Sequence, residues 1–334
     1  MNYLSQHWGY PWIGALFLVV ALIHEKGLRS MNRRSTKEHA RRRRRRMWFT
    51  YAGLVVAALS VVSPLQFWAM EYFWVHMLQH VSVMLAAPAL YIAGAPFLPL
   101  LHSVPVKGRR RILRRVFAPG RRSIYRQVGA FLLSPIVAVG FFNLIMVLWM
   151  IPSLFNPVMD STKLHIGLML TTFFLSGVLF WLQIIPSKPF RPKLSPFGQV
   201  GALLFTNLVM TIIALILSFF TSVPWYSFGA AMKGMAGMVM GGAMPTITLS
   251  RLADQQIGAA ILWVCGDFWC YPSLVTALRR AMSDAKRDVP EQQDSFPRLL
   301  RSHRNMSVEE FQAARSANAV TAALAAIEFD EDKK

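Results

Sequence analysis

The stretch Gly198–Phe220, GQVGALLFTNLVMTIIALILSFF, runs for 23 residues without an Asp, Glu, Lys or Arg. A bilayer's hydrocarbon core is ~30 Å thick and takes ~20 mostly apolar helical residues to cross, so this segment reads as a membrane span. Working outward, six further apolar runs stand between charged or Pro/Gly-rich segments. They are Tyr10–Ile23, Trp48–Trp68, Tyr72 to about Leu90 with an extension open to Leu101, Val128–Met150, Leu164–Ile185 and Ile257–Leu278. Tyr10–Ile23 is the shortest, with Pro11 and Gly14 inside it and His24, Glu25 and Lys26 closing it. Its basic residues follow the apolar stretch, the reverse of a secretory signal, so it reads as a retained span.

The expectation is an all-α, polytopic integral membrane helix bundle of about seven transmembrane helices. Residues 1–278 form the membrane domain and 279–334 a cytoplasmic tail. Composition agrees: 54% of the 334 residues are hydrophobic and 16% charged, which excludes an ordinary soluble domain. Cys265 and Cys270 lie in one apolar run, and nothing suggests a disulfide framework.

The net charge of +20 would suggest nucleic acid if it were spread over a folded surface. It is confined to a few loops instead. Residues 26–46 hold eleven Lys and Arg, 107–126 nine, 188–193 three and the tail from Arg279 ten, while the intervening loops hold only Lys163, Lys233 and Arg251. Positive loops stay on the cytoplasmic side, so the expected topology has the N-terminus outside and the C-terminus inside. The Arg41–Arg46 run then reads as a topology anchor near anionic headgroups, and no nucleic-acid partner is expected. In the tail, Ser307 and Glu310 have capping-box spacing ahead of an apolar stripe, which predicts a short amphipathic helix near residues 307–329.

Ionisable side chains inside spans are costly and mark functional interiors. The third run carries His76, Met77, Leu78, Gln79 and His80. Histidines four apart share a helix face, and Met84 continues it one turn on. His165 stands in the first turn of the fifth run, with Met169 four residues later. Both runs start outside in the expected topology, so the two groups can meet at similar depth. Imidazole suits copper and zinc, and thioether favours Cu(I), so a His/Met cluster points to copper. The alternative is that the histidines hydrogen-bond Gln79, Ser82 or backbone and the methionines only pack. Met232, Met235, Met238, Met240 and Met244 in the last outward loop pose the same choice between gathering Cu(I) and supplying adaptable apolar surface. Asp254 opens the seventh run as a plausible N-cap. Asp267, past the midplane, should pair with a polar group inside the bundle or border the cytoplasmic interface, and Cys265 and Cys270 read as packing residues. No phosphate loop, zincin motif or serine nucleophile motif is present, so no enzyme is expected.

In these residues the chain resembles the CtaG-type family of multi-span cytochrome c oxidase assembly factors, associated with caa3-type oxidases. The resemblance rests on Ser63-Pro64-Leu65, His76-Met77-Leu78-Gln79-His80 with Ala87-Pro88 after it, Asn156-Pro157, Trp181, and Asp254-Gln255-Gln256-Ile257-Gly258 leading to Trp263 and Gly266-Asp267. It covers about Pro64 to Tyr271. It implies a multi-pass bacterial plasma membrane protein that helps mature a haem-copper oxidase by aiding copper delivery, with oxidase subunits and a copper donor as partners. Carried onto matching positions, it implies His76 and His80 as candidate copper ligands and Asp254 as a further ligand or a structural cap. His165, Met77, Met84 and Met169 complete the candidate set from the residues themselves. Here the fifth run holds one histidine where the family pattern often has more. A copper transporter or channel and a membrane haem-binding electron carrier are the other readings.

Overall fold

The structure is a computed structural model that describes residues 8–33, 35–117, 124–226 and 249–287. Two compact units divide the chain, Met1–Ala281 and Met282–Lys334; of the second, only residues 282–287 are described. The methionine-rich loop and the amphipathic helix expected near 307–329 lie outside the described residues.

The described residues are all-helical apart from one isolated bridge, Ser187 with Phe190. The helices are α1 Pro11–Asn32, α2 Lys37–Val62, α3 Pro64–Ala69, α4 Phe73–Ala93, α5 Phe97–Ser103, α6 Val106–Phe117, α7 Ile124–Leu132, α8 Pro135–Leu148, α9 Pro152–Met159, α10 Thr162–Ile184, α11 Pro196–Phe219 and α12 Arg251–Arg287. Five of them (α1, α4, α10, α11 and α12) are long and apolar enough to cross a membrane; counting α8 with α9, bent by 72°, as one span makes six.

Several boundaries depart from the sequence reading, each for a local reason. Pro11 does not weaken the first run but starts it, at the helix's first position, where its missing N–H is no loss. That helix continues past Ile23 to Asn32. The Trp48–Trp68 run is cut at Ser63, whose extended backbone (ψ 171°) precedes Pro64; a residue before proline disfavours the helical region. The third run stops at Ala93 because Ala95 takes a left-handed φ of 57° before Pro96, so the extension to Leu101 is a separate helix. Ser134 before Pro135 likewise splits Val128–Met150 into α7 and α8. The stretch between Met150 and Leu164, which separates two apolar runs and on the Lys and Arg count falls outside, is not a plain loop but contains α9.

α4 is the central helix, with 78% of its most apolar window buried against 22% for α1 and for α12. Three glycines let neighbours approach it. A Cβ on Gly53 of α2 would lie 2.6 Å from Tyr91 N and 2.7 Å from Ala87 O; one on Gly177 of α10 would collide with Met84 O and Pro88 Cγ; one on Gly258 of α12 would strike the Phe73 ring. Small residues at crossings are how helices gain contact where no hydrophobic force separates side chain from lipid. The outer faces carry exposed apolar residues such as Leu16, Leu144, Leu204, Leu208 and Ile212, as lipid contact requires.

At the far end of α4, α5 packs on α1 so closely that Gly27 meets the Pro99 carbonyl. Lys26, Arg33, Arg43 and Arg109 line a cavity of about 590 Å³ there. Glu25 beside it takes Arg29 at 2.7 Å and the Tyr51 hydroxyl at 3.0 Å. The basic residues therefore gather at the end of α4 opposite its N-terminus, a helix length of about 30 Å away.

Candidate metal centre

His76 and His80 lie in the regular α-helical first part of α4, Phe73–Val81, so the four-residue spacing puts them on one face, ring centroids 4.0 Å apart. α10 brings His165 against them, its ring 4.9 Å from that of His76. One ring nitrogen from each lies within 4.8 Å of the other two. All three are buried, at 0%, 2% and 0% exposure. Phe173 of α10 packs 4.5 Å from His80, and Phe155 of α9 packs 5.0 Å from His76.

Proline chemistry supplies the partners of these rings. Pro64 has no N–H, so it cannot close the carbonyl of Ser60 four residues earlier in the helix. Gln79 takes that carbonyl instead, its Nε2 donating to Ser60 O at 2.6 Å and to Gln66 Oε1 at 2.6 Å. Gln66 Nε2 in turn lies 3.1 Å from His165 Nδ1. The last carbonyl of the short α3, Ala69 O, is a helix-end orphan and lies 3.2 Å from His76 Nδ1. With its Nδ1 engaged, His165 has Nε2 left to meet an ion. Nε2 of His80 and of His165 are buried without a hydrogen-bond partner among the described residues. Leaving a buried polar atom unsatisfied costs about 1–3 kcal/mol, and such orphans need an explanation.

The geometry fits a small ion with soft or borderline preference. Nitrogens held about 2.0–2.1 Å from a metal stand roughly 3.5 Å apart in a trigonal set, so the 4.8 Å limit leaves about an ångström of inward motion.

The other sequence candidates fall out differently. Met77, Met84 and Met169 are buried at 0%, 1% and 0%. Met77 packs its Cγ under Gly258 of α12. From Ser82 to Ala86 in α4 and from His165 to Leu170 in α10 the backbone is π-helical, with i→i+5 bonding. The backbone register around Met84 and Met169 is therefore not that of the regular helix assumed in pairing them with His80 and His165. Asp254 does cap a helix, but not its own. Its Oδ2 accepts from Phe73 N at 2.9 Å and its Oδ1 from Trp74 N at 3.0 Å, the first amides of α4, while Ser250 Oγ caps α12 through Ala253 N.

The whole Asp254-Gln255-Gln256 triplet is a clamp. Gln255 Oε1 accepts from Trp225 N, its Nε2 donates to Thr221 Oγ1 at 2.9 Å, and Gln256 Nε2 donates to Ser218 O at 3.0 Å. This ties the start of α12 to the start of α4 and the end of α11. Asp267 accepts from Asn207 Nδ2 at 2.9 Å, a partly buried polar pair between α12 and α11, the first of the two placements the sequence left open for it. Asp254→Ala is expected to lower stability by about 2–3 kcal/mol, since hydrogen bonds to charged acceptors are worth about 1.5–3 kcal/mol; an unfolding titration in detergent with an unchanged midpoint would refute the clamp.

Gln66 and Phe155 escaped the sequence reading. Gln66 carried one signal, a lone amide between Leu65 and Phe67 in an apolar run; Phe155 carried none, lying in an assumed loop.

The family model described as cytochrome c oxidase caa3 assembly factor matches residues 26–284, well over half of the chain. Uncharacterized proteins of Mycobacterium bovis and of Mycobacterium tuberculosis are each 26% identical over 264 residues, covering 75% of this chain and 35% of theirs. One of Mycobacterium leprae is 26% identical over 231 residues, covering 65% of this chain and 30% of its own. The chain thus spans about a third of the length of these relatives. No solved structure matches it.

Proposed function

This chain belongs to the cytochrome c oxidase caa3 assembly factor family, and from that premise we propose that it takes copper as cargo at His76, His80 and His165 and passes it to an oxidase subunit. The observation that carries this reading is the buried triad itself: three imidazoles from two helices, with Nε2 of His80 and His165 unpaired by protein among the described residues. Imidazole ligands suit copper, and Cu(I) tolerates the low coordination number that three side chains give. Met77, Met84 and Met169 are buried in the same two helices as polarizable, adaptable packing, and Asp254 acts on the site by holding the N-terminus of α4.

The positive-inside rule supports an outward-facing triad, because the basic residues gather at the opposite end of α4. Delivery then runs on the outer side of a bacterial plasma membrane, from a copper donor to an oxidase subunit. A channel needs a polar path through the bilayer, yet Asp267 is engaged by Asn207 on α11, away from the triad between α4 and α10. A haem needs a slot between two axial imidazoles, whereas these rings sit 4.0 and 4.9 Å apart with Phe155 and Phe173 against them.

Deleting the gene is expected to reduce the haem-copper oxidase signal in membrane spectra and its activity, with partial recovery on added copper. Unchanged oxidase in the deletion strain would sink the reading.

A further inference from the structure

The amides around the triad have only one consistent orientation. Ser60 O can only accept, so the atom 2.6 Å from it must be the Gln79 NH₂; turning that amide over would set Gln79 Oε1 against both Ser60 O and Gln66 Oε1. The second hydrogen of Gln79 Nε2 then points at Gln66 Oε1, which leaves the Gln66 NH₂ facing His165 Nδ1 at 3.1 Å. An NH₂ can only donate. His165 Nδ1 must therefore be the bare, accepting nitrogen, and the ring's hydrogen sits on Nε2. His76 is set the other way: Ala69 O can only accept, so His76 Nδ1 carries the hydrogen and Nε2 is a lone pair.

A metal-bound imidazole has the opposite requirement at His165. A ring that ligates through Nε2 keeps its hydrogen on Nδ1 and gives it to an acceptor, commonly a carboxylate or carbonyl. His76 meets this condition as it stands and His165 does not. Resting on the copper reading for its consequence but not for its geometry, we propose that Gln66 and Gln79 are positioning residues: a directional amide relay from the Ser60 carbonyl that holds His165 as its Nε2–H tautomer and withholds it as a ligand while the relay is intact. The relay exists because Pro64 leaves Ser60 O without a helical partner. It makes His76 and His80 the receiving pair and His165 the conditional third ligand, so copper is held less tightly than three committed imidazoles would hold it, as suits cargo that must leave.

The test is nitrogen NMR of protein labelled with ¹⁵N-histidine, in nanodiscs with no copper added, with the His165 signals identified by their loss in His165→Gln. Wild type is expected to show His165 with Nδ1 bare and Nε2 protonated. In Gln66→Glu both carboxylate oxygens accept, one from Gln79 and one from His165, so Nδ1 should gain the hydrogen, and Cu(I) affinity should rise about 10–100-fold, the range seen for supporting partners of metal ligands. If Gln66→Glu does not fold, Gln66→Met keeps the volume and removes the donor, and an Nδ1–H signal should appear. A wild-type His165 already protonated on Nδ1, or variants that leave its tautomer unchanged, would overturn the relay. The copper reading fails separately: a tautomer that responds to Gln66 in a protein that binds no Cu(I) upholds the relay and rejects copper, and copper binding with an unresponsive tautomer does the reverse.

Discussion

The double variant His76→Ala/His80→Ala is expected to lose near-stoichiometric Cu(I) binding, with affinity falling by more than the ~10–100-fold that loss of a mere supporting partner costs. The two histidines share one face of a regular α-helical segment with ring centroids 4.0 Å apart, and their removal leaves His165 as the single imidazole of the triad. Folding must be matched before the comparison is made. The two rings are fully buried, and truncating them leaves a cavity of the kind that destabilises cores by several kcal/mol for the largest side chains. His76→Phe/His80→Phe fills that space and serves as the second variant. Competition against a Cu(I) chelator, on monodisperse purified protein, reads the difference. Should wild type itself bind no copper, the histidines become structural or partner-facing, and the protein a scaffold for oxidase subunits.

Gly177→Val is expected to abolish the same binding with every histidine in place. Gly177 sits on α10 where that helix crosses α4, and any Cβ there would collide with the Met84 carbonyl and Pro88. The obstacle is backbone and a proline ring, neither of which can rotate aside, so the helices must separate. Overpacking typically costs about 1–3 kcal/mol, and the absence of a compliant neighbour puts this substitution at the upper end. Because α4 carries His76 and His80 and α10 carries His165, the separation opens the triad by the same displacement. Thermal unfolding in detergent and the copper titration should therefore fall together, with Gly177→Ala milder in both. Wild-type behaviour of Gly177→Val in the two assays would show that the crossing does not hold the site together.

The two histidines of α4 were legible as a pair because the helix between them is regular. The methionines Met84 and Met169 sit in π-helical segments, Ser82–Ala86 and His165–Leu170, a local departure from the regular helix that no period in the sequence announces. Asp254 was legible as a cap by residue type and position, yet it caps a helix 181 residues away in sequence. Capping chemistry is local in geometry, but nothing requires the orphan amides to belong to the carboxylate's own helix. Gln66 lay outside any periodic signal. Its meaning depends on Pro64 freeing one carbonyl and on Gln79 and His165 standing on either side of it.

The amino-acid sequence by itself determined the all-helical class, the apolar runs, the segregation of Lys and Arg into particular loops, and the presence of imidazole in segments where it is costly. These follow from transfer energetics and helix period, which act residue by residue along the chain. Only the tertiary structure decided that His165 joins His76 and His80, that Phe155 packs against them, that the Asp-Gln-Gln triplet is a clamp, and that a chain of amides sets the hydrogen on one ring. Those features are distances between residues far apart in sequence. They arise from which glycine crossings let helices approach and which carbonyls proline leaves open, and neither is written in the hydropathy of any single span.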